Sequence, residues 1–506
     1  MELVKLIDAW LNKITTYRLL AYGLALLLVV AMAFSLVGSL PMSAIGIAAM
    51  LLVLLIVCFA ANRLLATLSG SPANSESWLI TALILCCILP PSTDLHRLAL
   101  IGLAGLIAML SKYVLVYRHK HFFNPAAFAA LILGLTGLLP AIWWIGNPAM
   151  LTLTTALGLL VLRKTRRFQL FLWFLAASLV VGTVVSSVHH QALVHALVTV
   201  VKSWPLVFLG TIMLTEPEAI PSMKWQQRTY AMLVGVIFTS QVRFGVVSAT
   251  PELALIVANI YTFIVSPRYA LRLYLQKKQQ LAPRIYEFSF KSDRVIKFKP
   301  GQYMQWTLSG VPFDSRGNRR SFSLASAPDQ HEVSIAIKTV NPGSAFKKTI
   351  LALQDGDTIV AAQLAGNFVL PKNTTKPIVC IAGGIGVTPF VSMARDMVKR
   401  KEQRDIVLFY LVADPAELCF AEVWQQAAIF GFRLVPVLTA AAKAPRGWEG
   451  SVGPLTVAML KQEVSDFSVR RYYLSGPSNF VEYYNSLLHQ LPIRQSNIMT
   501  DHFSGY

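Results

Sequence analysis

The run Gly383-Gly384-Ile385-Gly386-Val387-Thr388-Pro389 follows the apolar stretch Ile378 to Ala382 and opens a helix-forming segment that continues through Arg400. Glycines at such a turn let backbone N–H groups come close to phosphate oxygens at the positive end of a helix. A second glycine turn, Ser475-Gly476-Pro477, stands between the strand-like Arg471 to Leu474 and a helix from Phe480. Upstream lie Arg320-Ser321-Phe322-Ser323 and the pair Gly343-Ser344. Loops of this kind bind phosphorylated ligands, provided strands and helices hold them at one edge of a sheet.

The surrounding pattern predicts those elements. Ile285 to Phe290, Tyr303 to Leu308 and Glu332 to Lys338 alternate at period two between Gly and Pro turns, which predicts a small antiparallel barrel. After Asn373 the rhythm becomes strand, loop, helix. Ile378 to Ala382 leads to the helix ending at Arg400, Ile406 to Val412 to one near Glu417 to Phe430, and Arg471 to Leu474 to the last. Repeated units of this type predict a parallel sheet with its ligand at the carboxyl ends of the strands.

The first half has another character. With 55% apolar and 14% charged residues over 506 positions, the chain is too apolar for one soluble enzyme and too long for one domain. Stretches of about 20 apolar residues, the length that crosses roughly 30 Å of hydrocarbon, predict a polytopic α-helical domain of about ten spans. They fall near 19–38, 43–62, 78–91, 98–116, 126–140, 149–162, 168–187, 192–214, 229–247 and 252–267. Lys and Arg gather at the start of the chain and in the even connections, including Arg163, Lys164, Arg166 and Arg167, then Lys224 and Arg228. The positive-inside rule therefore predicts a multi-pass protein of a bacterial-type cytoplasmic membrane with both termini in the cytoplasm. The basic excess occurs in both halves, which suits an anionic membrane surface rather than a nucleic acid. The five cysteines form no C-x-x-C pair, so no fused ferredoxin and no metal site is expected. No two spans carry His pairs spaced for stacked haems.

Two cytoplasmic loops of this half carry Asn124-Pro125-Ala126-Ala127 and Thr215-Glu216-Pro217. A proline turn there either starts an ordinary helix or leaves backbone groups for a buried ligand. Lys202, deep in the eighth span, reads either as a residue facing a ligand or as one on a cation path. These runs resemble the flavin-carrying membrane subunits of the sodium-translocating NADH:quinone oxidoreductase and Rnf complexes, over most of residues 20–270. The resemblance implies a ligand near Asn124, Pro125, Thr215, Glu216 and Pro217, and Lys202 joins them as a candidate by its depth in the eighth span. The Ser-Gly-Ala-Thr-like run that carries covalent FMN in that family is missing. A non-covalent second flavin or a quinone is the expectation there.

The second half, from about residue 280 onward, resembles the ferredoxin-NADP reductase family. Arg320 to Ser326, Gly383 to Pro389, Ser475-Gly476-Pro477 and the terminal Phe503-Ser504-Gly505-Tyr506 follow in order. The resemblance implies FAD on the barrel, with Arg320, Gly343 and Ser344 at its pyrophosphate, Phe322 stacked on the isoalloxazine and Ser323 at flavin N5. It places Gly383, Gly384, Gly386, Thr388, Pro389, Gly476 and Pro477 around the nicotinamide dinucleotide. Phe322 stands where the family usually has Tyr, and Ser475 where it usually has Cys. Asp414, after the strand Leu408 to Val412, repels a 2′-phosphate and accepts from a ribose 2′-hydroxyl, which favours NADH over NADPH. Asp501 matches an acidic residue near the family's C-terminus, and Tyr506 either covers the flavin or ends the chain. Ser323, Ser475 and Asp501 are thus the expected catalytic set.

The expected organisation is a membrane domain at 1–270, an FAD-binding β-barrel at 280–373 and an α/β NAD-binding domain at 374–506. Such a chain would take hydride from NADH onto FAD and pass electrons to a membrane acceptor, a bound flavin or a quinone, with ion coupling as a further expectation from the resemblance. Two alternatives remain open: a transport module with a regulatory reductase, and an anchored reductase serving a separate redox protein.

Overall fold

The computed structural model describes residues 7–8, 10–11, 14–69, 76–117, 120–188, 205–216, 219–221, 223–245, 247–265, 271–308, 311, 318–339, 343–440 and 446–503. The chain divides into two compact units, Met1–Tyr269 and Ala270–Tyr506.

Nine helices of eleven residues or more build the described part of the first unit: α1 Thr16–Leu36, α2 Ala44–Ser69, α3 Ser77–Ile88, α4 Leu95–Val114, α5 Pro125–Leu135, α6 Leu151–Thr165, α7 Phe168–Val188, α8 Lys224–Thr239 and α9 Pro251–Val265. Four of them, α1, α2, α4 and α7, are long and apolar enough to cross a membrane. This corrects the expected ten spans. The 12-residue α3 rises only about 18 Å at 1.5 Å per residue. All its residues from Ile80 to Ile88 are buried, so it is apolar all round because protein, not solvent or lipid, surrounds it. A run of that kind passes a hydropathy test without being a span. The helix α5 stops at Leu135, and the turn after it passes through the left-handed Gly137. Of the expected eighth span only its end is described, as an α-helical turn at Leu206–Phe208 that runs into a π turn at Leu209–Met213.

The second unit joins two six-stranded sheets. In the first, β1 Leu271–Ala282, β2 Ile285–Ile296, β3 Tyr303–Thr307, β4 Arg319–Ser323, β5 Gln330–Lys338 and β6 Thr358–Ala365 pair antiparallel in the order β4-β3-β6-β1-β2-β5. The sheet curls, and Ala325 N–H just past β4 donates to Ser334 O of β5 at 2.8 Å. Phe288, Phe290 and Trp306 fill its inside, with the rings of Phe290 and Trp306 5.3 Å apart. Strand β1 and the single helix among the described residues of this part, α10 Ala345–Ala352, were not anticipated from sequence.

The second sheet is wholly parallel. Its strands β7 Ile378–Gly383, β8 Ile406–Val412, β9 Phe432–Leu438, β10 Ser451–Val452, β11 Arg471–Pro477 and β12 Ile498–Phe503 run in the order β10-β9-β8-β7-β11-β12. Every residue of β8 is buried, as expected for a strand covered on both faces. The helices α11 Thr388–Arg400, α12 Ala421–Ala428, α13 Val457–Glu463 and α14 Ser478–Leu488 connect them. From β7 the chain first builds outward through β8, β9 and β10, then returns to place β11 on the other side. The crevice at such a reversal is where open α/β sheets bind ligands.

Candidate functional site

Two sequence motifs, the glycine loop and Ser475-Gly476-Pro477, lie at the strand ends where that reversal occurs. Gly383 ends β7, Gly384 takes the left-handed φ of 53° that glycine adopts without cost, and Thr388-Pro389 starts α11 with proline in the first turn. Gly383 and Gly386 cannot bear side chains. A Cβ on Gly386 would sit 2.4 Å from Ser475 O, and one on Gly383 would meet the ring of Phe480 at 2.8 Å. The glycine loop and the turn Ser475-Gly476 are therefore packed backbone against backbone. Thr388 is buried and its Oγ1 donates to Ile385 O at 3.1 Å, which ties the loop to the helix start.

Ser475 lies between Ala382 of β7 and Asp501 of β12 in the sheet register. Its side chain is fully buried, and its Oγ has no hydrogen-bond partner among the described residues. A buried hydroxyl without a partner costs free energy unless a ligand satisfies it. Burial pushes the Asp501 carboxyl up to about 6, against a smaller opposing effect of a backbone hydrogen bond from His502. Pro477 starts the last turn before α14 and is exposed. Asp414, also exposed, caps the short 3-10 turn Pro415–Glu417 by accepting from Ala416 N at 2.9 Å.

On the curled sheet, β4 pairs with β3 so that Arg320 faces Trp306, Phe322 faces Met304 and Ser323 faces Tyr303. Arg320 and Ser323 are buried. The guanidinium of Arg320 lies 5.3 Å over the ring of Phe346, and Phe322 approaches the same ring at 5.8 Å. Phe346 belongs to α10, whose N-cap is Ser344, with its Oγ accepting from Lys347 N at 3.3 Å. Arg320, Phe322 and the Gly343-Ser344 turn thus share one neighbourhood, with a helix start turned into it. That combination of guanidinium and helix N-terminus suits a dianionic pyrophosphate.

The two sheets are fastened to one another. Arg395 of α11 binds Glu287 of β2 through both guanidinium nitrogens, at 2.6 and 3.2 Å, and also donates to Ala325 O at 3.0 Å. Ser392 Oγ donates to Ser326 O, and Tyr473 Oη to Val369 O. Sequence reasoning missed this seam. A half-buried Arg-Glu pair between elements far apart in the chain leaves no local signature.

In the first unit, Asn124 caps α5 by accepting from Ala127 N at 2.9 Å, and its amide donates to Glu216. Thr215 is buried, its Oγ1 donates to Thr211 O at 2.7 Å, and Arg167 donates to its carbonyl. The structure thus brings the two proline loops together, with Pro125 at the first helical position. Lys202, Pro217 and Tyr506 lie outside the described residues. Three polar residues of α9 were also missed. Glu252, Asn259 and Thr262 fall on one buried face; Glu252 accepts from Trp143 Nε1 at 2.9 Å, and neither amide atom of Asn259 has a partner among the described residues. Their helical spacing within an apolar span was the available signal.

Residues 380–486 match the family described as oxidoreductase NAD-binding domain, a stretch that contains the glycine loop, Asp414 and Ser475-Gly476-Pro477. Among curated proteins, the chain is 29% identical over 226 residues to the reductase component of phenol 2-monooxygenase from Pseudomonas sp., covering 44% of this chain and 62% of that protein. It is 31% identical over 157 residues to reductase component 1 of terephthalate 1,2-dioxygenase from Comamonas sp., covering 29% of this chain and 43% of that one. The chain thus spans less than two thirds of either relative. A solved cytochrome P450 reductase from Amycolatopsis aligns at 25% identity over 46% of this chain and 69% of that one, with a TM-score of 0.41.

Proposed function

We propose that this chain is a membrane-bound, NAD(P)H-dependent flavin oxidoreductase, with FAD held by residues 280–373 and NADH by residues 374–506. The observation that carries the reading is the packing of the Gly386 loop against Ser475 at the strand reversal, inside the matched NAD-binding stretch. Bound FAD supplies a two-electron acceptor that can take hydride from a nicotinamide and release electrons to a further acceptor. Arg320, Gly343 and Ser344 hold its pyrophosphate, Phe322 lies against the ring and Ser323 reaches N5. The backbone of Gly383, Gly384 and Gly386, with Thr388 and Pro389, receives the dinucleotide phosphates. Ser475, Gly476 and Pro477 position the nicotinamide, the Ser475 hydroxyl finding its partner there. Asp414 selects the free 2′-hydroxyl of NADH, and Asp501 holds a proton beside the site. Tyr506 is kept as a candidate cover for the flavin.

The first unit holds the chain in the bilayer through its four long apolar helices, and the whole is a multi-pass protein with both termini in the cytoplasm. The meeting of Asn124 with Glu216 beside Pro125 and Thr215 favours a second ligand there, a non-covalent flavin or a quinone that receives the electrons, with Pro217 and Lys202 in the same candidate set. A second reading has a specific observation behind it. The similar curated proteins are reductase components of oxygenases, so electrons would leave for a separate redox protein and the helices would serve as an anchor. Flavin content per purified chain separates the two. Two non-covalent flavins, or NADH oxidation accelerated by a short-chain quinone, supports the membrane acceptor. One flavin and no response to quinone refutes it and leaves the partner reading.

A further inference from the structure

The three glycines that open the dinucleotide loop are small for three different reasons. Gly384 takes the left-handed φ of 53°, and Gly386 faces the backbone of Ser475. Gly383 answers to neither. Its φ of −102° and ψ of 108° are ordinary extended backbone that any residue adopts. Outside its chain neighbours, the three heavy atoms nearest to a Cβ placed there, at 2.8 to 2.9 Å, all belong to the ring of Phe480. Glycine stands at 383 to admit an aromatic side chain.

The same ring covers Gly476. Because Ala382 of β7 pairs with Ser475 of β11, Gly383 and Gly476 lie side by side at the ends of neighbouring parallel strands, and a Cβ on Gly476 would meet Phe480 Cδ1 at 2.9 Å. Two adjacent glycines leave a bare strip of backbone, and an aromatic ring laid across it restores the packing that the missing side chains forfeit. Phe480 is held in place for this. It sits in the first turn of α14, three residues beyond Pro477, with its ring 4.7 Å from that of the buried Tyr484 one turn on. The half-buried ring packs on the apolar cluster that contains Val379, Ile381, Leu474, Val481 and Leu488. The turn Ser475-Gly476-Pro477 is therefore fixed from two sides, by the β7–β11 ladder before it and by the Phe480 ring after it. We infer that Phe480 is a positioning residue for hydride transfer: by clamping the ends of β7 and β11 together it fixes the turn on which the nicotinamide rests. This rests on the reading of Ser475, Gly476 and Pro477 as the nicotinamide seat. In that reading the phosphates lie on the loop that Gly386 packs against Ser475, so the clamp governs the reacting ring and not the grip on the rest of the dinucleotide.

The test uses the full chain loaded with FAD and measures the limiting rate of flavin reduction by NADH in stopped flow, alongside binding of ADP-ribose, which carries the phosphates and lacks the nicotinamide. Phe480→Ala is expected to lower that rate by roughly tenfold to a hundredfold, the scale of a misplaced reacting group, with ADP-ribose affinity unchanged. Phe480→Tyr keeps the ring and should recover most of the loss. A double-mutant cycle reads the contact itself. Gly383→Ala drives a methyl into the ring and should slow reduction; in Gly383→Ala/Phe480→Ala the methyl enters the vacated space, so the two losses should not add. If Phe480→Ala fails to keep its FAD, the milder Phe480→Leu takes its place in the same cycle. An unchanged rate in the Phe480 variant, an equal fall in ADP-ribose affinity, or additive losses would overturn the clamp and leave Phe480 an ordinary core residue. Wild-type FAD that NADH does not reduce would instead strike the oxidoreductase reading, and the coupling of Gly383 to Phe480 would still be read in Tm.

Discussion

Replacing Arg320 with Ala removes a buried guanidinium beside Phe322 and the start of α10. A charge-assisted hydrogen bond is worth about 1.5–3 kcal/mol, so FAD affinity of the apoprotein should fall by roughly tenfold to a hundredfold, read by flavin titration. In the proposed function Asp414 acts on specificity and not on the flavin. Asp414→Ser removes a carboxylate from the place where a 2′-phosphate would lie, and the ratio of kcat/KM for NADPH to that for NADH should rise by about tenfold, the scale of one charge contact. Asp501 supplies a pH signature. Its folded-state value of about 6 lies above the ordinary 3.8, so the native protein holds this proton more tightly than the unfolded chain does. The protonated carboxyl is the form that burial favours, and stability is lost as pH rises from about 4 through 6. A step in the Tm profile across that window should be present in the wild type and missing in Asp501→Asn. A profile unchanged by the substitution would show that the carboxyl is not held as described.

At the scale of elements, the site depends on the contact between the β7 loop and the β11 turn. Gly386→Val would drive a branched side chain into Ser475 O and Gly476 Cα, both backbone atoms that cannot swing aside. Overpacking of this kind costs about 1–3 kcal/mol, and the variant should show a lowered Tm and a raised KM for NADH while keeping its FAD. Arg395→Met leaves Glu287 buried without its cation, and the resulting loss of roughly 3 kcal/mol would show in denaturant unfolding of the full chain. These two contacts differ in how far the sequence announced them. The glycine loop was legible, because close backbone approach demands glycine at fixed spacing beside a strand. The Arg395–Glu287 seam was not, because pairing across tertiary structure has no period. Strand β12 escaped notice too: Ile498 to Phe503 mixes polar and apolar residues at a sheet edge, without the continuous apolar run that marks β8.

For the whole molecule, the change of character between the halves was plain in the sequence, and the number of spans was not. Ser77–Ile88 and Pro125–Leu135 are as apolar as any lipid-facing helix, but much of that apolar surface meets protein. Hydropathy alone cannot separate a core helix from a short span, since both escape water. What decides is length against bilayer thickness, and α1, α2, α4 and α7 meet that condition. The chain should accordingly sediment with membranes, resist extraction by alkaline carbonate and dissolve only in detergent. The meeting of Asn124 with Glu216 shows the other side of the same limit. The sequence marked each proline loop separately, and only folding joined them. The central claim, that NADH delivers its electrons to a flavin held through Arg320, is tested most directly by adding NADH under anaerobic conditions to the full-length protein reconstituted with FAD. The account predicts stoichiometric bleaching of the oxidised flavin band in the wild type, and little bound flavin in Arg320→Ala. A wild-type protein that binds no FAD, or whose bound FAD stays oxidised in excess NADH, would contradict it.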